Sequence, residues 1–177
     1  KIENLADHTF AQSATVYAHW KQLHTVTFDL NGGSAPTEGF AGTVSVANNT
    51  AVAKPSDPTK TNLEFACWYK GESEYNFDTV VTEDITLTAK WKAVVQFDAN
   101  YPNAGTMPQK EVMENGKLSE ADLAAPSRTG TGYQFDGWYK NRNFAQADKV
   151  TKDTAITENI TLYAKWLCTV TFDTKQP

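Results

Sequence analysis

Apolar and polar residues alternate along three stretches of this chain that are versions of one another: residues 14–20 (ATVYAHW), 85–91 (ITLTAKW) and 160–166 (ITLYAKW). In the third copy Ile160, Leu162, Ala164 and Trp166 occupy one set of positions, and Thr161, Tyr163 and Lys165 the other. Successive side chains of a strand point to opposite faces, so this period of two predicts a half-buried strand. A helix would need apolar residues three and four apart, which none of the copies has. Each copy is followed within a few residues by another alternating run that ends in Phe-Asp: residues 26–29, 95–98 and 170–173. The chain therefore reads as a tandem array.

The spacing of the closing tryptophans sets the size of the unit: Trp20 to Trp91 is 71 residues and Trp91 to Trp166 is 75. Two complete repeats follow, at 24–92 and 93–167. They are flanked by the tail of one repeat (1–23) and the first strand of another (168–177), so the whole protein is expected to be longer at each end. In the first repeat the pattern predicts strands at 25–30, about 40–47, 63–70 and 85–91. Asn31-Gly32-Gly33 and Asn48-Asn49 mark turns, because Asn and Gly tolerate positive φ. Two prolines limit residues 51–58 to a short helical turn. The second repeat keeps the order and offers a better helix at 119–124, with Ser119 as N-cap, Asp122 three residues on and Pro126 as a stop. Phe28, Phe65, Trp91, Phe97, Phe135 and Trp166 are the expected core aromatics. Strict alternation puts Trp68 opposite Phe65, and Trp138 opposite Phe135, which makes these two tryptophans the candidate exposed aromatics.

Units of this size bury only about 60% of the surface that their unfolded chains expose, so each core has to be used fully. Five Trp, seven Tyr and nine Phe supply the area. The net charge of −5 and scattered basic residues argue against a nucleic-acid partner, which calls for a basic patch. No apolar run approaches the roughly 20 residues of a membrane span, so no membrane insertion is expected of this stretch. Cys67 and Cys168 fall at non-equivalent places in different copies and write no disulfide framework.

Catalytic signals are missing. His8, His19 and His24 lie in the partial repeat and its linker, none recurs in the complete copies, and a solvated-surface role is expected. No nucleophile elbow, zinc-binding His pair, phosphate loop or Cys pair is present. Asp29, Asp98 and Asp173 recur after Phe; an Asp that opens a turn by bonding nearby backbone explains this more simply than a metal site. The chain is expected to be no enzyme and to hold no cofactor and no metal.

Three separated motifs in fixed order carry a resemblance. Val-Thr-Phe-Asp is followed by Pro126-Ser127-Arg128-Thr129-Gly130-Thr131-Gly132-Tyr133-Gln134-Phe135-Asp136-Gly137-Trp138-Tyr139, and then by Ile160-Thr161-Leu162-Tyr163-Ala164-Lys165-Trp166. This resembles the Listeria–Bacteroides repeat, also called the internalin B-type repeat, over essentially the whole chain. The first repeat departs from it at residues 61–64, and at Cys67 where the second has Gly137. The resemblance implies an α+β, mostly β fold: tandem β-grasp-like modules, each a four-stranded sheet with one short helix, arranged as an elongated array. It also implies an extracellular place, on the bacterial cell surface or attached to the cell wall. With only Lys92 and Ala93 between two strands, the leading expectation is a stiff spacer in adhesion whose contacts are neighbouring repeats. The alternative is a binding module that contacts a host glycan or surface protein directly, through Trp68 and Trp138.

Overall fold

The computed structural model describes residues 20–170 together with Thr15 and Tyr17. Most of the first closing run, the end of the run at 170–173, and His8, His19 and Asp173 lie outside the described residues. The first repeat contains β1 (Leu23–Asp29), β2 (Thr43–Ala47), β3 (Thr50–Ala51), β4 (Glu64–Lys70), β5 (Ser73–Glu74) and β6 (Val80–Val81). The second contains β8 (Lys110–Met113), β9 (Gly116–Lys117), β10 (Tyr133–Tyr139), β11 (Lys149–Val150), β12 (Ala155–Ile156) and β13 (Ile160–Cys168). Between them β7 (Ile85–Asp98) is one strand of 14 residues that belongs to both.

The first half of β7 closes the first repeat. Residues 85–88 lie parallel to residues 26–29 of β1, and β4 pairs antiparallel on the other side. The second half opens the second repeat, with residues 95–98 parallel to residues 160–163 of β13 and with β8 antiparallel across 92–95. Each repeat therefore has the same order, β5-β4-β7-β1-β2 in the first and β11-β10-β13-β7-β8 in the second, within one mixed sheet. Parallel neighbours need a long crossover, and here that crossover supplies the antiparallel strands. Two short ladders, β3 with β6 and β9 with β12, cover its course.

Burial follows the period of two straight through the junction: Ile85, Leu87, Ala89, Trp91, Ala93 and Val95 are all buried. The first four belong to the core of the first repeat and the last two to that of the second. Both cores thus sit on the same face of one strand. Phe28 and Trp91 are buried in the first core, with Phe65 half-buried against them. Phe97, Phe135 and Trp166 are half-buried against the second.

The expected β-grasp-like module, four strands with one short helix each, is not what forms. Among the described residues the only helix is a three-residue 3-10 turn, Gln146–Asp148, and the fold is nearly all β. At 51–58 the two prolines prevent even a single helical turn, and Val52 is drawn into the core instead. At 119–124 the local signal is real but does not propagate. The Asp122 carboxylate accepts from the Ser119 hydroxyl (2.6 Å) and N–H (3.0 Å), the Asp122 N–H donates back to the Ser119 oxygen, and the Leu123 N–H reaches the Ser119 carbonyl at 3.2 Å. The chain then leaves at Ala125-Pro126. One turn fixes several dihedrals for one or two bonds, so a helix this short gains nothing from elongation.

Candidate functional site at the repeat junction

Trp68 and Trp138, the two residues expected to face outward, are each only 1% exposed. The reason is a β-bulge at the same place in both repeats. Along β4 the register steps from Phe65 opposite Trp91 to Cys67 opposite Lys90, which leaves Ala66 as the extra residue. Along β10 it steps from Phe135 opposite Trp166 to Gly137 opposite Lys165, with Asp136 extra. A bulge sets two residues against one and shifts the alternation beyond it, so Phe and Trp three positions apart point into one core. Trp68 meets Phe28 edge-on at 5.0 Å and Phe65 at 5.5 Å; Trp138 meets Phe97 at 4.9 Å and Phe135 at 5.6 Å. The Trp138 indole N–H donates to the Ala124 carbonyl at 3.3 Å, whereas that of Trp68 finds no partner among the described residues. Neither ring is available to a ligand.

The two recurrent carboxylates among the described residues, Asp29 and Asp98, are structural. Asp29 accepts from the Asn31 N–H at 2.9 Å, and Asp98 from the Asn100 N–H at 2.7 Å, each fixing an Asn at positive φ. Each Asn side chain then donates at 3.0 Å to the closing strand, Asn31 to the Ala89 carbonyl and Asn100 to that of Ala164. The carbonyl beside each turn receives the closing indole: Trp91 donates to Asn31 at 3.2 Å and Trp166 to Ala99 at 2.8 Å. Among the described residues no group of three or more His, Cys, Asp or Glu could hold a metal ion. No helix there is long and apolar enough to cross a membrane. His24, expected at the surface, is buried because it continues the inward positions of Val26 and Phe28 on β1; its Nε2 lies 3.2 Å from Asn48 Oδ1. Cys67 is half-buried, which pushes its thiol up, and Cys168 is exposed; both are free.

The bulged Asp136 gathers charge on the outer side of the second repeat. The Tyr139 hydroxyl donates to it, and the Lys165 and Lys149 ammoniums each lie 3.2 Å away. Together, the tyrosine foremost, they hold its carboxyl down at about 2. The first repeat has Ala66 in that place and Glu74 opposite Tyr69 where Lys149 stands opposite Tyr139. The cluster is therefore a local device of one repeat.

The junction is where the structure brings residues together that sequence reasoning did not single out. Lys60, on the loop that leads into β4, lies 2.8 Å from both carboxylate oxygens of Glu114, in the turn after β8. The same ammonium stands over the Trp91 ring at 5.6 Å. Lys92 lies 2.9 Å from Glu111 and 3.9 Å from Glu64, and these carboxylates hold its ammonium above the ordinary range. Asn159, in the turn before β13, accepts the Val94 N–H at 2.7 Å and donates its own N–H to the Asn62 carbonyl at 2.7 Å. Leu63 packs against both cores. What this arrangement can do is mechanical: it ties the loop ahead of β4 to the turn after β8 and to the turn before β13. One signal could have pointed to it, the cation two residues after Pro58 and again after Pro126, at Lys60 and Arg128.

A family model described as the Listeria–Bacteroides repeat domain matches the chain twice, over residues 24–90 and 94–165. A protein of Evansella cellulosilytica named "Putative membrane protein" is 31% identical over 163 residues, which cover 89% of this chain and 23% of that protein. Internalin H of Listeria monocytogenes is 28% identical over 159 residues, covering 87% of this chain and 27% of that protein. The chain thus spans about a quarter of the length of these curated relatives. No solved structure matches it.

Proposed function

The chain belongs to the Listeria–Bacteroides repeat family, and on that premise we propose that these repeats are a stiff, non-enzymatic spacer in a protein displayed outside the bacterial cell. They hold other domains of the same protein away from the surface, and contacts with a host protein or glycan belong to those domains. The observation that supports this reading is the continuity of β7 across both repeats. Val26 lies beside Ile85, and its counterpart Val95 stands ten residues further along that same strand. At about 3.3 Å per residue, each repeat carries the array forward by about 33 Å. Lys60–Glu114 and Asn62–Asn159 tie the loop ahead of β4 to two different turns of the second repeat, and so oppose bending at the strand. The direct-binding alternative relied on Trp68 and Trp138, and their burial removes its residues.

Small-angle scattering tests the proposal. The intact chain should fit one elongated conformation, and a flexible Gly-Ser linker of about six residues placed after Lys92 should broaden the distribution of inter-repeat distances. A broad distribution in the unaltered chain would overturn the spacer mechanism. Strong, saturable binding on a glycan array would instead favour direct recognition.

A further inference from the structure

The first repeat shows what one pole of a repeat becomes when another follows it. Lys60, Leu63 and Trp91 make up that pole; the cation is paired with Glu114, Leu63 reaches the next core and the indole is sealed to 1% exposure. In the second repeat the same positions are held by Arg128, Tyr133 and Trp166. Arg128 is two residues beyond a proline, as Lys60 is, while Tyr133 precedes Gln134-Phe135 as Leu63 precedes Glu64-Phe65. Here the guanidinium is stacked among three rings, 3.6 Å from the centroid of Tyr133, 4.7 Å from Trp166 and 5.0 Å from Tyr101. Among the described residues it has no carboxylate partner, Trp166 is half-buried, and Tyr133 and Leu167 are exposed.

We infer that the face made by Arg128, Tyr133, Trp166 and Leu167 docks a further repeat of this kind, chosen by an acidic side chain at the position Glu114 holds in the second repeat. The strand geometry is already that of a junction, since β13 runs on past Trp166 to Cys168 as β7 runs on past Trp91. A guanidinium held over aromatic rings can still offer its planar N–H fork to a carboxylate, which arginine presents and lysine does not. The selection follows from what each repeat presents to its predecessor. Met113 pairs with Lys92 as Ala47 pairs with Leu23, so Glu114 and Glu111 of the second repeat correspond to Asn48 and Ser45 of the first. A repeat of the first sort would bring Arg128 an amide; one of the second sort would bring it a carboxylate. Leu167 replaces Lys92, so the ion pair that Glu111 makes with Lys92 at the internal junction has no counterpart there, and Arg128 is left as the cation that selects.

This rests on the array reading above, but it concerns the choice of neighbour and not stiffness, so the two can fail separately. Two extended chains test it: residues 1–167 followed by a second copy of 93–167, or by a second copy of 24–92. Fluorine NMR of 5-fluorotryptophan protein, with the Trp166 signal assigned through Trp166→Phe, reads ring exposure from its solvent-isotope shift. The shift at Trp166 should fall to that of Trp91 in the first extended chain and keep its parent value in the second. Arg128→Glu should reopen the ring in the first, and Glu114→Lys in the appended copy should close it again. Equal burial in both chains, or an exposed Trp166 beside a folded copy, would overturn the proposal, as would concentration-dependent burial in the parent chain, which would make a second molecule the occupant. If the appended copy fails to fold, the internal junction decides: Lys60→Glu should open Trp91 and Lys60→Glu with Glu114→Lys should close it, and indifference of Trp91 to both would sink the idea.

Discussion

Replacing Trp91 by alanine should cost about 3–5 kcal/mol. The ring is 1% exposed, meets Phe65 edge-on at 5.8 Å, and carries Lys60 on its face. An indole of about 200 Å² at about 25 cal/mol per Å² gives about 5 kcal/mol, an upper value because the unfolded chain already hides part of that area. Its N–H bond to Asn31 is lost as well. Gly33 makes the packing checkable. A Cβ there would stand 2.3 Å from Cζ2 of the Trp91 ring and 2.9 Å from the Thr59 carbonyl oxygen. The indole is wedged between Phe65 and the junction and has nowhere to move, so Gly33→Ala alone should cost about 1–3 kcal/mol. Without the ring the two closest of these obstructions, both Trp91 carbons, are gone. The double variant should therefore be more stable than the sum of the two losses predicts, by about 1–2 kcal/mol. Urea melts of the four proteins, followed by circular dichroism, measure the cycle. A Trp91→Ala loss under about 1 kcal/mol, or an additive cycle, would refute the reasoning.

Trp138→Phe should cost about 1 kcal/mol more than Trp68→Phe in the same melts, because only the first removes a satisfied indole hydrogen bond, while the second removes a buried N–H that has no partner among the described residues. Asn100→Ala should destabilise by about 1–2 kcal/mol: it loses the bond to Ala164 and places alanine at a φ of 56°; a neutral result would mean that the turn is not set by this side chain. The Asp136 carboxyl titrates at about 2 in the folded protein, below its ordinary value of about 3.9. Its contribution is thus complete above about pH 4 and lost as the pH falls towards 2, and Asp136→Asn should flatten the stability profile in that window. Identical slopes in the two proteins would count against the cluster. One alanine inserted after Lys92 should uncouple the repeats in scattering and lower the melting point, while two should be better tolerated, because only the odd insertion turns the second half of β7 over.

Much of the strand pattern was legible because alternation needs no partner to be visible. The runs at 26–29, 85–91 and 160–166 lie within β1, β7 and β13, where one face is buried along the length. The helix at 119–124 was misread for a reason local to that segment: the Ser119–Asp122 pairing is present, but a capping signal says where a helix can start and not whether enough chain follows. Trp68 and Trp138 were misplaced by a single extra residue. A bulge leaves no mark in hydropathy when the inserted residue is as ordinary as Ala66, and counting by twos from Phe65 then gives the wrong face with full regularity.

The junction was half legible. Its brace was not, because Lys60 and Glu114 are 54 residues apart and meet only once β4, β7 and β8 are in register. What could be read is the link itself, and it says more than that it is short. Trp91 to Val95 is four positions, Trp166 to Val170 four, and Trp20 to Val26 six. All are even, although the links differ in length and composition. In a strand an even step returns to the same face, and an odd one crosses to the other. Even links therefore allow one continuous strand to carry the core of one repeat and that of the next on a single side, as β7 does with Trp91, Ala93 and Val95. The parity of the link is a condition for the shared strand, and the shared strand is what the proposed spacer role rests on.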